Sequence, residues 1–155
     1  MKIHLVWDTS GSMGELGKLW IARGVARAID QYSRLGYCRA DLRLIAWGCE
    51  ARVLDWNSDQ EFPPELLVST GTTNAKALIS LFPAEFDSKI VLLTDGFWTP
   101  TDAREIRLWR ENLPPDTLRV IKIGADANPQ LKGNDIFSAE DFFAALDGWI
   151  EGGAP

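Results

Sequence analysis

Asp8, Ser10 and Ser12 alternate along "VWDTSGSM" (residues 6–13), placing a carboxylate and two hydroxyls at every second position. The stretch follows a short apolar run, Ile3 to Trp7, and precedes a helical pattern. Three chemistries suit such a layout: a phosphate cradle, an acyl-phosphate on Asp8, or a hard metal ion. A nucleotide-binding loop needs G-x-x-x-x-G-K-[ST]. "SMGELGKL" (12–19) puts Ser12 at the first glycine and Leu19 at the magnesium-binding hydroxyl, so that pattern fails at both ends. A phosphatase-like Asp8 nucleophile calls for a second acid two residues on, and position 10 is serine. A divalent ion uses all three side chains. Converging Asp8, Ser10 and Ser12 oxygens begin a shell that magnesium completes with six near-octahedral oxygens, so further oxygens must come from other loops.

Two further stretches supply them, and together the three resemble a known family. Asp8-Thr9-Ser10-Gly11-Ser12 is similar to the D-x-S-x-S signature of von Willebrand factor type A (vWA) domains, where it forms a metal-ion-dependent adhesion site (MIDAS). "STGTTNA" (69–75) resembles the family's threonine loop, with Thr73 as the ligand, and "LLTDG" (92–96) resembles the strand end that carries the acid, Asp95. The motifs occur in the family's order, and the resemblance covers almost the whole chain. The loop's second glycine is replaced by Thr72, a rival hydroxyl beside Thr73.

The resemblance implies a ligand set of Asp8, Ser10, Ser12, Thr73 and Asp95. It implies Mg2+, with Mn2+ as the alternative ion, and a coordination position reserved for an Asp or Glu of a partner protein. Prokaryotic intracellular domains similar to this one work beside MoxR-type AAA+ ATPases or co-encoded proteins in chaperone-like or conflict systems, which gives a partner class. The expected activity is binding and not catalysis, because no nucleophile is paired with a base. A metal-assisted phosphatase or hydrolase acting through Asp8 is the competing reading. In "DGFWTP" (95–100), Trp98 is expected as an exposed apolar anchor for the partner beside the site, with Phe97 the more inward ring.

These residues need a scaffold that brings distant loops together. Apolar strands are expected at 3–7, 42–47, 90–94 and 117–123, with a short antiparallel strand at 52–56 after the turn at Gly48. Leu19, Ala22, Val25, Ala26, Ile29 and Tyr32 recur at helical spacing up to Gly36. Shorter helices are expected around Ala75 to Phe82 and from Pro100 behind a Thr99 cap. A last helix is expected from Ser138 through Phe142, Phe143, Leu146, Trp149 and Ile150. Alternation of this kind builds an α/β, Rossmann-like doubly wound sheet, mostly parallel, with helices on both faces, and it places Asp8 and Asp95 at strand carboxyl ends, where such sheets bind ligands.

The 155 residues suit one domain over 1–150 with a frayed tail at 151–155. A formal charge of -6 argues against nucleic acid and anionic membranes as partners, and no apolar run approaches the ~20 residues of a membrane span. Cys38 and Cys49 flank a predicted strand and are too far apart to pair. Free thiols and no export signal at Met1-Lys2 point to the cytoplasm. His4, the single histidine, is read as a core or edge residue.

Overall fold

The computed structural model describes residues 2–35, 40–82 and 88–149. Six strands form one sheet: β1 (Lys2–Asp8), β2 (Asp41–Trp47), β3 (Ala51–Val53), β4 (Lys89–Thr94), β5 (Leu118–Lys122) and β6 (Ile136–Ser138). Their order is β3-β2-β1-β4-β5-β6, and only the β2–β3 pairing is antiparallel. β1 lies at the centre, buried from Ile3 to Asp8. That burial explains its unbroken apolar run, because a parallel strand between two helical layers has no solvent face.

Strand alternation divides the core in two. Val6 pairs in register with Ile45 and Leu92, and Leu92 with Val120; these face α2 (Ala75–Ile79) and α3 (Pro100–Asn112) through Leu78, Ile106 and Trp109. Leu5 and Trp7 face the other side, with Leu44, Leu93 and Ile121. There α1 (Lys18–Leu35) contributes Ala22, Val25, Ala26 and Ile29, and α4 (Phe142–Leu146) contributes Ala145 and Leu146. Helices therefore cover both faces, as the alternation of elements predicts. Thr99 caps α3 by accepting the Asp102 N–H at 3.1 Å, with Pro100 in the first turn.

Several expectations are corrected. The antiparallel strand is Ala51–Val53, shorter than 52–56. β6 is a strand that hydrophobic periodicity does not reveal, because three residues carry no period. It is held beside β5 when Asp135 accepts the Val120 N–H and is gripped by the Arg110 guanidinium. The last helix is also shorter than its pattern. A 3-10 turn covers Ala139–Asp141, α4 ends at Leu146, and Gly148 turns the chain at a φ of +74°. Trp149 still reaches the core, donating its indole N–H to the Asp116 carbonyl. Gly36, Cys38, Ile150 and the tail at 151–155 lie outside the described residues; Cys49 is an exposed free thiol. Among the described residues no helix is long and apolar enough to cross a membrane.

Candidate metal centre

β1 and β4 are neighbours whose chain continues to opposite sides of the sheet, which makes the gap between their carboxyl ends the topological switch point. Asp8 ends β1 and Asp95 follows β4, and both are fully buried. Asp8 Oδ1 accepts the Ser10 N–H at 2.8 Å, and Asp8 Oδ2 accepts the Thr94 hydroxyl at 2.6 Å. Burial pushes the Asp8 pKa above the usual carboxylate value, the bonds from Thr94 and Ser10 oppose that rise, and Asp95 adds to it.

After Asp8 the chain bends into a 3-10 turn, Gly11–Gly14, anchored by Met13, which is wholly buried. The turn brings the Ser10 and Ser12 hydroxyls within 3.4 Å of each other. Adjacent ligands of an octahedral ion with bonds near 2.1 Å stand about 3 Å apart, so this pair fits one edge of such a shell. The threonine loop is laced to the same turn. The Gly11 N–H donates to the Gly71 carbonyl at 2.9 Å, and the Thr70 N–H to the Thr9 carbonyl at 3.0 Å. Gly71 takes a φ of +67°, after which Thr72 points to solvent and Thr73 turns inward. The rival hydroxyl is thus the exposed one.

Thr73 Oγ1 donates to Asp102 Oδ2 at 3.5 Å, and Asp102 Oδ1 accepts the Ala75 N–H at 3.1 Å. Asp102 therefore orients both the hydroxyl and the start of α2. Asp95 Oδ1 accepts the Phe97 N–H at 3.2 Å, and its Oδ2 accepts from Lys18 at 3.0 Å. The turn between them needs Gly96, at a φ of +77°, where a Cβ would stand 2.7 Å from a Leu131 methyl.

All five expected oxygens thus belong to loops joined at one sheet edge. The donor set, neutral hydroxyls with a buried carboxylate, suits a hard divalent cation. Among the described residues no three His, Cys, Asp or Glu gather as a metal cage. His4 stays apart: it packs edge-on against Phe82 at 5.4 Å, and its Nδ1 accepts from Arg43 at 3.2 Å. Burial, with Arg43 and Lys2 nearby, lowers its pKa to about 4.

Two placements differ from expectation. Phe97 is the exposed ring, 46% accessible, whereas Trp98 is half-buried against Trp47 with ring centroids 5.9 Å apart. Gly96 turns the chain so that the second aromatic, not the first, folds back beneath the loop. Lys18 also enters the centre, which the nucleotide-loop comparison obscures. It stands four and seven residues before Ala22 and Val25, on the buried stripe of α1. Burial alone would lower its pKa, but bonds to Asp126 and Asp95 prevail and raise it. A groove of about 610 Å³ between α1 and the segment after β5 is lined by Trp20, Ile21, Ala127 and Phe142. None of the five oxygens borders it.

No protein-family model matches the sequence, and no curated protein is similar to it in sequence. Solved structures do resemble its fold. The manganese-loaded TRAP protein of Plasmodium vivax aligns over 97% of this chain and 73% of its own, with 18% identity and a TM-score of 0.62. A von Willebrand factor type A protein of Catenulispora acidiphila aligns over 97% of this chain and 41% of its own, with 20% identity and a TM-score of 0.58. Mussel byssus proximal thread matrix protein 1, with a zinc-occupied MIDAS motif, aligns over 93% and 44%, with 16% identity and a TM-score of 0.57. The chain spans less than half the length of the last two. Its six-stranded, mostly parallel sheet with one antiparallel strand and helices on both faces is the fold of von Willebrand factor type A domains.

Proposed function

We propose that this domain is a metal-dependent protein-binding module. The observation that carries this reading is the pair of serine hydroxyls, Ser10 and Ser12, 3.4 Å apart beside the buried Asp8 at the switch point, with the Thr73 loop bonded to the same turn and Asp95 at the neighbouring strand end. Asp8, Ser10, Ser12 and Thr73 would hold the ion, and Asp95 would add charge beside it. A divalent ion in this hydroxyl-rich setting supplies a strong electrophile for an incoming carboxylate. The protein's part is to keep the shell short of anions, so that an Asp or Glu of a partner completes it. The manganese and zinc carried by structures of the same fold support a divalent ion here. Mg2+ is the proposed ion, with Mn2+ as the alternative. A MoxR-type ATPase or a co-encoded protein is the proposed partner class, resting on the motif resemblance alone, and a cytoplasmic setting goes with it.

The domain is proposed to be non-enzymatic. Both Asp8 oxygens accept hydrogen bonds, from Ser10 and Thr94, which fixes the carboxylate's orientation and lowers its nucleophilicity. Calorimetric titration with Mn2+ tests the reading. Wild type should bind, and Asp8→Asn, which keeps the shape, should not. Retained binding in Asp8→Asn, or metal-dependent hydrolysis of an aryl phosphate that this variant abolishes, would overturn the proposal.

A further inference from the structure

Lys18 is the first residue of α1, and its side chain is wholly buried. An ammonium has three N–H donors, and each has an acceptor: Asp95 Oδ2 at 3.0 Å, Asp126 Oδ2 at 3.0 Å and the Ser12 carbonyl at 3.2 Å. The Phe97 ring covers it, with its centroid 5.4 Å from Nζ. A cation at a helix N-terminus stands against the helix dipole, and a buried one is tolerated only when fully paired. Lys18 is therefore a fixed internal charge, and the chain has built the beginning of its first long helix around it.

Its effect falls on Asp95. One oxygen of that carboxylate is held by Lys18 and the other by the Phe97 N–H. Asp8, in contrast, is held only by neutral donors. The two acids of the centre are thus restrained differently, one by a full positive charge and one without.

We propose that Lys18 is a positioning residue of the cation site, holding Asp95 back as an outer charge so that the ion keeps a position open to an incoming carboxylate. The inference rests on the metal reading given above. Charge supports it. Asp8, Asp95 and Asp126 with Lys18 sum to two negative charges when ionised, which one divalent ion cancels, so the loaded centre does not repel an anion. Asp95 free to swing onto the ion would fill the position the partner needs.

Removing the ammonium alone would change the net charge, so the informative variant is Lys18→Met/Asp126→Asn, which removes one charge of each sign. Lys18→Gln/Asp126→Asn, which retains a neutral donor, replaces it where the methionine variant does not fold. Two quantities are measured: Mn2+ affinity by calorimetry, and displacement of manganese-bound water by acetate, read by water-proton relaxation. The expected result is Mn2+ binding about tenfold tighter than wild type, because a freed Asp95 adds a direct anionic ligand to the shell, with loss of the acetate response. A structural role alone would loosen the site instead. Equal or weaker Mn2+ affinity in the double variant, with wild type binding normally, would overturn the role of Lys18 and leave the metal reading standing. No Mn2+ binding by wild type or variant would overturn both.

Discussion

The Thr94 hydroxyl donates to Asp8 Oδ2 at 2.6 Å and accepts the Gly96 N–H at 3.0 Å, so one side chain ties the end of β1 to the turn after β4. Both atoms of the Thr94–Asp8 contact are buried. Thr94→Val keeps the shape and removes the donor. A hydrogen bond to a charged group contributes about 1.5–3 kcal/mol, and for a domain of this size the loss should lower the melting temperature by roughly 3–12 °C. A thermal melt in chelator checks this; no change would show that Asp8 finds another donor.

Metal binding has a stability signature as well. Ligand at 100 times its Kd stabilises the folded state by about 2.7 kcal/mol, or roughly 5–10 °C here. Asp102→Asn leaves the Asp8 and Asp95 bonds untouched but weakens the acceptor that orients Thr73. Loss of such an outer partner typically costs about 10–100-fold in metal affinity. Calorimetry with Mn2+ should show that loss, with melting in chelator little changed; unaltered affinity would remove Thr73 from the ligand set.

The two aromatic rings after Asp95 now have opposite expectations. Phe97→Ala should cost about 0.5–2 kcal/mol, the loss of its contact with the Lys18 ammonium, while weakening partner capture, which pull-downs with magnesium and with chelator would read. Trp98→Ala should cost about 2–3 kcal/mol, less than a fully buried tryptophan, because its ring packs on Trp47. A stable Trp98→Ala with lost capture would restore Trp98 as the anchor.

His4 ties stability to pH. Its folded pKa of about 4 lies below its ordinary 6.5, so the unfolded chain takes up the proton first. The stabilisation is full above pH 6.5 and is lost as pH falls towards 4, by up to about 3 kcal/mol. Urea unfolding at pH 7 and pH 4.5 should show a smaller difference in His4→Gln than in wild type. Carboxylates titrate in both proteins and cancel in the comparison; equal slopes would show that His4 is not held neutral.

The central strands, and the place of Asp8 and Asp95 at their ends, were legible because two independent signals coincide in them. Ile90 to Thr94 is a charge-free run that ends on Asp95, and β1 does the same with Asp8. Thr99, Pro100 and Asp102 announced α3 by local capping chemistry, and the structure keeps the bond from the Asp102 N–H to Thr99. β6 was hidden because its place is set by Asp135, Arg110 and Val120, contacts distant in sequence. Lys18 lies on the buried stripe of α1, but a lysine there reads as a surface residue until its two carboxylates are seen. The Phe97–Trp98 order could not be read from sequence, because a positive φ at Gly96 decides which ring turns inward.

The sheet has one further consequence for how this domain meets others. Among the described residues its two borders are β3 and β6, each three residues long, and β3 runs against its neighbour. An extended peptide seeking a ledge on which to add itself needs a longer row of free backbone groups. Strand-to-strand zippering, whether with a client or with another copy, is thereby discouraged at both flanks. On the proposed function, recognition would fall to the loop-bearing end of the sheet, where the chemistry of side chains decides the outcome and the repeating backbone does not.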